Sequence, residues 1–109
     1  MSAFYIMRYQ GSSGAGFGAV YIGRGTIVGA DVMNGRYSGS YTEGGGRLRG
    51  TVTLNWPNGG QLVTGQQMPA GASIPMNFDW PQNITSGPQS ISVQGFPVSV
   101  TFEKVGDVP

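Results

Sequence analysis

The sequence predicts an all-β fold, one small antiparallel barrel or sandwich of about eight short strands. Three observations predict it. Apolar and polar residues alternate along several stretches, a period of two that suits strands buried on one face. Turn signals separate those stretches at close spacing. Finally, 20 glycines and 7 prolines punctuate all 109 residues. They disfavour long helices, because a glycine costs about 1 kcal/mol and a proline about 3 kcal/mol in a helix interior. The length suits a single domain over residues 1–109.

Taken in order, Ala3 to Tyr9 and Phe17 to Ile22 are apolar on both parities. Such strands are expected to be covered on both faces, and a second subunit is one such cover. Gly11 to Gly16 between them reads as a flexible loop. The run Gly14 to Gly18 has a phosphate-loop flavour, but no helix opens behind it and no Lys-Ser/Thr follows. Its glycines read instead as a close backbone approach or a bulge. Gly23, Arg24 and Gly25 suit a tight hairpin. A second hairpin at Glu43 to Gly46 joins the run Arg36–Tyr41 to the run Arg47–Trp56.

That last run alternates cleanly. Leu48, Gly50, Val52, Leu54 and Trp56 share the buried parity; Arg47, Arg49, Thr51, Thr53 and Asn55 share the other. Pro57 to Gly60 is a turn signal. Ile74, Met76, Phe78 and Trp80 then oppose Ser73, Pro75, Asn77 and Asp79. A proline inside an alternating run predicts an edge strand or a bulge. Ile91 and Val93, then Val98, Val100 and Phe102, complete the pattern.

Several function classes drop out. With no histidine and no cysteine, thiol–imidazole pairs, Ser-His-Asp triads and the common zinc sites are excluded. No cofactor is implied, and the expectation is a protein that is not an enzyme. The six basic residues are scattered apart from Arg47 and Arg49, and the net charge is +1, so no nucleic-acid partner is expected. No apolar run approaches the roughly 18 residues of a spanning helix. With no signal-peptide pattern at the start, the expectation is a cytoplasmic protein without a membrane partner. Charged residues make up only 10% of the chain. Either another copy covers part of the surface, or Ser, Thr, Asn, Gln and Gly make it polar.

The aromatic residues carry the remaining signal. Phe4, Tyr21, Trp56, Phe78, Trp80 and Phe102 are candidates either for an apolar pocket inside the barrel or for a core or dimer interface. Eight strands enclose an interior that side chains just fill or that holds one small ligand. Asp31 is expected to accept hydrogen bonds from turn amides. Gly39 is expected to leave room for a crossing strand or ring.

Gly16 to Ile22, then Gly29-Ala30-Asp31, then Tyr37-Ser38-Gly39-Ser40-Tyr41, and finally Arg47 to Val52 together resemble the GrlR-like family of small bacterial proteins. That family is named for a negative regulator of type III secretion. About the first 56 residues carry the resemblance. It implies a lipocalin-like barrel, a homodimer and a protein partner that is itself a regulator. In the named member an acidic run in the hairpin after the Tyr-x-Gly-x-Tyr strand makes the contact. The matching place here is residues 43–46, where Glu43 alone is acidic. The partner-binding candidates are therefore Glu43 with the neighbouring Arg47 and Arg49. The expected function is a small non-catalytic binding module acting through protein–protein contacts as a homodimer. The alternative is a carrier of a small apolar ligand in the barrel interior.

Overall fold

The computed structural model describes residues 2–109. The strands are β1 (Ser2–Gly11), β2 (Gly14–Gly23), β3 (Thr26–Asp31), β4 (Arg36–Gly44), β5 (Arg47–Trp56), β6 (Gly60–Gln61), β7 (Gln67–Met68), β8 (Ala72–Pro81), β9 (Gln89–Val93) and β10 (Phe96–Asp107). One 3-10 turn, Ile84–Ser86, lies between β8 and β9. Eight strands form one antiparallel sheet in the order β8-β5-β4-β3-β2-β1-β10-β9, and β6 and β7 make a small ribbon of their own. Apart from that ribbon, neighbours in space are neighbours in sequence, with β10 returning to pair with β1. The sheet curls until its two edge strands meet, giving a nearly closed up-and-down barrel.

Short turns set the register. Arg24 and Gly25 both take positive φ (53° and 75°), as do Gly45 and Gly46, and Gln94 and Gly95. Two consecutive left-handed residues match the twist of a two-residue hairpin. The segment from Gly11 to Gly16 is not the loop that its glycines suggest. Gly11 pairs with Gly14 across Ser12 and Ser13, and β1 and β2 stay in register from Ser2 opposite Gly23 up to that turn. Gly16 serves packing instead, because a Cβ there would meet the ring of Tyr9.

Curvature has an equally local cause. Gly18, Gly29, Gly39 and Gly50 face the interior on four successive strands. A Cβ on each would run into the carbonyl oxygen of Ala30, Ala19, Thr51 and Ser40 respectively. The absent side chains let β2 coil against β3, and β4 against β5, tightly enough for the sheet to turn.

The interior is apolar. Tyr5, Met7, Val20, Ile22, Ile27, Leu48, Val52, Leu54, Ile74, Met76, Val98 and Val100 are all buried. Each such aliphatic or aromatic side chain contributes about 1.5–3 kcal/mol when fully buried, which is what stabilises a barrel this small. The last gap, between β8 and β9, has no strand ladder. Trp80 spans it: its Nε1 donates to the Ser90 carbonyl at 2.8 Å, while its ring stacks on Phe78 at 4.4 Å and tilts against Phe102 at 5.4 Å. Pro75 lies on β8, a sheet edge, opposite Thr53 of β5, as a proline in a strand requires.

β1 and β2 are not covered on both sides by this chain. Their outer face, continued onto β3, leaves Phe4 46% and Val28 53% exposed. A register shift between Phe4 and Tyr5 bulges β10 there, and Val105 is 65% exposed.

Gly39→Ala is expected to destabilise the protein by about 1–3 kcal/mol, as overpacking does. Gly106→Ala, whose Cβ meets nothing within 4 Å, is expected to stay within about 0.5 kcal/mol. Urea denaturation of the two variants measures both, and equal losses would contradict the account.

Candidate functional site

The barrel encloses a cavity of about 100 Å³. Its walls come from the inward parity of the strands: Met7, Val20, Ile22, Ile27, Val52, Leu54, Met76, Ile91, Val98 and Val100. One end is a floor. Phe78, Trp80 and Phe102 line it, Tyr5 packs edge-on to Phe102 at 6.1 Å, and Leu48 and Ile84 are almost completely buried. The 3-10 turn that carries Ile84 packs on β10. Gln89 fixes that turn by donating from Nε2 to the Ile84 and Gly87 carbonyls at 3.3 and 3.2 Å.

The opposite end is the mouth. The lining residues that retain exposure gather there: Tyr9, Asp31, Met33, Tyr37, Gln61, Val63 and Thr64. Residues 57–71 partly cover it. The Trp56 carbonyl anchors both ends of this segment, accepting from Gly59 N at 3.2 Å and Gly71 N at 2.8 Å. Leu62 is buried. The Val63 carbonyl accepts from Ser13 N at 2.7 Å, which docks the segment on the β1–β2 turn.

Asp31 organises the rim. Its Oδ1 accepts from Met33 N at 3.0 Å and Gly35 N at 2.8 Å, the turn-amide role expected of it. Its Oδ2 accepts from the Tyr37 hydroxyl at 2.5 Å, and Tyr9 lies within hydrogen-bonding reach of both side chains. Burial, reinforced by the Asp31 carboxylate, pushes the Tyr9 and Tyr37 hydroxyls well above the ordinary tyrosine range. Asp31 is thus saturated with donors. No Lys or Arg is among the described lining residues.

Two buried polar atoms among the described residues lack a hydrogen-bond partner, Trp56 Nε1 and Thr64 Oγ1. Both residues line the cavity. Leaving such an atom unsatisfied costs about 1–3 kcal/mol.

The aromatic candidates divide between two places. Trp56, Phe78, Trp80 and Phe102 line the cavity. Phe4 and Tyr21 lie outside, packed edge-on to each other at 5.9 Å. Arg47 and Arg49 lie on the outer surface of β5, whereas Glu43, opposite the buried Leu48, lies exposed at the floor end on the inward parity of β4; all three are engaged within the chain. Arg47 Nε donates to Asp79 Oδ1 at 2.9 Å, and Arg49 Nε donates to Asp79 Oδ2 at 3.2 Å. The hydrogen bond from Arg47 is the chief reason the Asp79 carboxyl sits below the usual carboxylate range. Glu43 accepts from Gln82 Nε2 at 2.6 Å. Sequence reasoning missed the rim. Asp31 is legible in the sequence only as a turn former and Tyr37 only as one aromatic of the Tyr-x-Gly-x-Tyr motif, and the sole hint of the cover is the apolar pair Leu62 and Val63 inside a polar segment.

No group of three or more potential metal-ligating side chains occurs among the described residues, and no helix there is long and apolar enough to cross a membrane. The chain is an eight-stranded antiparallel barrel with an apolar cavity open at one end. No protein-family model, curated protein or solved structure matches it.

The rim predicts an alkaline limb in stability. Unfolded tyrosines ionise near pH 10, whereas Tyr37 in the fold holds its proton to higher pH. Its contribution is therefore complete below about pH 10 and falls above it. The slope is below about 1.4 kcal/mol per pH unit, since solvent reaches part of the ring. Urea unfolding between pH 8 and pH 11 should show the fall, and Tyr37→Phe should flatten it. Identical slopes in both proteins would contradict the assignment.

Proposed function

We propose that this chain is a non-catalytic binding module that takes a small, largely apolar molecule into the barrel interior. The observation that carries the reading is the segregation within the cavity. Apolar side chains form its walls and floor, and its polar groups gather at one open end. Apolar surface of this kind binds by removing ligand carbon from water. An apolar cavity of roughly 150 Å³ is known to take up benzene, so about 100 Å³ suits a compact ligand or the apolar end of a longer one.

Trp56 and Trp80 are the only tryptophans, and both line the cavity. Titration with toluene is expected to change their fluorescence and raise the melting temperature. At a hundredfold excess over Kd the added stability is about 2.7 kcal/mol. An unchanged spectrum and melting temperature at saturating toluene would contradict the reading.

A second reading is favoured by the outer face of β1–β3. Phe4, Tyr21 and Val28 stand in one cross-strand row, and Ile6, Ala19 and Ala30 in the next. This uncharged patch supports a homodimer formed with a second copy. It keeps the regulatory setting that the GrlR-like resemblance implies. Sedimentation equilibrium at micromolar concentration should give a dimer, and Val28→Glu should return it to monomer. A monomer in both cases would remove the second reading and leave the first intact.

A further inference from the structure

We propose that the ligand of the barrel is a neutral molecule with one hydrogen-bond acceptor, such as a ketone or ester, held at the mouth by Trp56 Nε1. This rests on the interior being a binding cavity. Trp56 closes β5 where the covering segment begins, and only 4% of the residue is exposed. Its indole lines the cavity and its Nε1–H has no acceptor among the described residues. Indole nitrogen is a donor only, so the missing partner must be an acceptor. Trp80 provides the contrast. It lines the same cavity, but its Nε1 is already satisfied by the Ser90 carbonyl. The Thr64 hydroxyl, equally without a partner, supplies a second contact at the same end and can donate or accept.

The charge of the ligand follows from what surrounds that donor. Asp31 is the one charged side chain among the described lining residues. An anionic head would enter an apolar site beside a carboxylate, with no basic residue in the lining to offset its desolvation. A cation gains little either. Both Asp31 oxygens already accept hydrogen bonds, Oδ1 from Met33 N and Gly35 N, Oδ2 from Tyr37. What remains is an uncharged molecule whose apolar part fills the cavity toward Phe78 and whose acceptor stays near the mouth.

The two tryptophans make this testable by nuclear magnetic resonance. A ¹⁵N-labelled sample gives two indole N–H signals, one for each. Three ligands of similar shape are compared: cyclohexanone, methylenecyclohexane (the same ring with a carbon in place of the oxygen) and cyclohexanecarboxylate. Cyclohexanone is expected to move the Trp56 indole signal downfield, with a smaller change at Trp80. It is also expected to bind roughly two- to tenfold more tightly than methylenecyclohexane, the worth of one neutral hydrogen bond. Trp56→Phe should abolish that preference while still binding both neutral rings. Cyclohexanecarboxylate should bind most weakly. Equal affinities for the two neutral rings, an unmoved Trp56 signal, or tightest binding of the carboxylate would overturn the inference while leaving an apolar cavity in place. Equal affinities or an unmoved signal would mean that Trp56 Nε1 is met by water alone, and tightest binding of the carboxylate would mean that the site takes an anion. No binding of any of the three would overturn the inference and the cavity reading together.

Discussion

Inward-facing glycines on four successive strands set how far the sheet can curl. Where Gly18, Gly29, Gly39 and Gly50 face the interior, a neighbouring carbonyl occupies the space that any side chain would need. The strands approach and coil at those points, and β8 and β9 are brought together at the far side. Everything else depends on that curvature. Without it the inward parity of β5 and β8 would be the exposed face of an open sheet. With it the same residues become the wall of a cavity, and one tryptophan, Trp80, is enough to bridge the seam.

The two ends of the barrel are built on different physics. At the floor, stacked and tilted rings fill the space, and the polar atoms there are satisfied by backbone partners, as Trp80 Nε1 and Gln89 Nε2 show. At the mouth, polar groups are gathered around Asp31, and the covering segment contributes Gln61, Leu62, Val63 and Thr64 to the lining. A fold that left Trp56 Nε1 and Thr64 Oγ1 without partners at the floor would simply be less stable. At an opening, the same deficit is a recognition feature, because an incoming molecule can remove it.

Much of the fold is legible in the sequence where one face of a strand is wet. The alternation in β5, β8 and β10 names the buried residues correctly from Leu48 to Phe102, and Pro75 marks the sheet edge. The reading weakens where both parities are apolar. In β1 and β2 nothing distinguishes Tyr5, which is buried, from Phe4, which is exposed, so the sequence leaves Phe4 and Tyr21 as candidates for pocket or interface alike, and the structure puts them on the outside. Gly11 to Gly16 misleads for a related reason: a missing side chain signals flexibility and tight packing alike, and here Gly16 makes room for Tyr9. The candidate site is less legible than the fold. Asp31 and Tyr37 meet across a turn, and Leu62 to Thr64 reach the mouth from an irregular segment. Neither arrangement has a periodicity to read.

The central claim is that the interior is hollow and reachable rather than filled. Xenon binding under pressure, located by crystallography, tests it most directly, since apolar cavities take up xenon without any need for hydrogen bonding. The account predicts xenon inside the barrel, in contact with Met76, Phe78 and Val100. A barrel with no xenon between its walls, its side chains closed on one another, would contradict it.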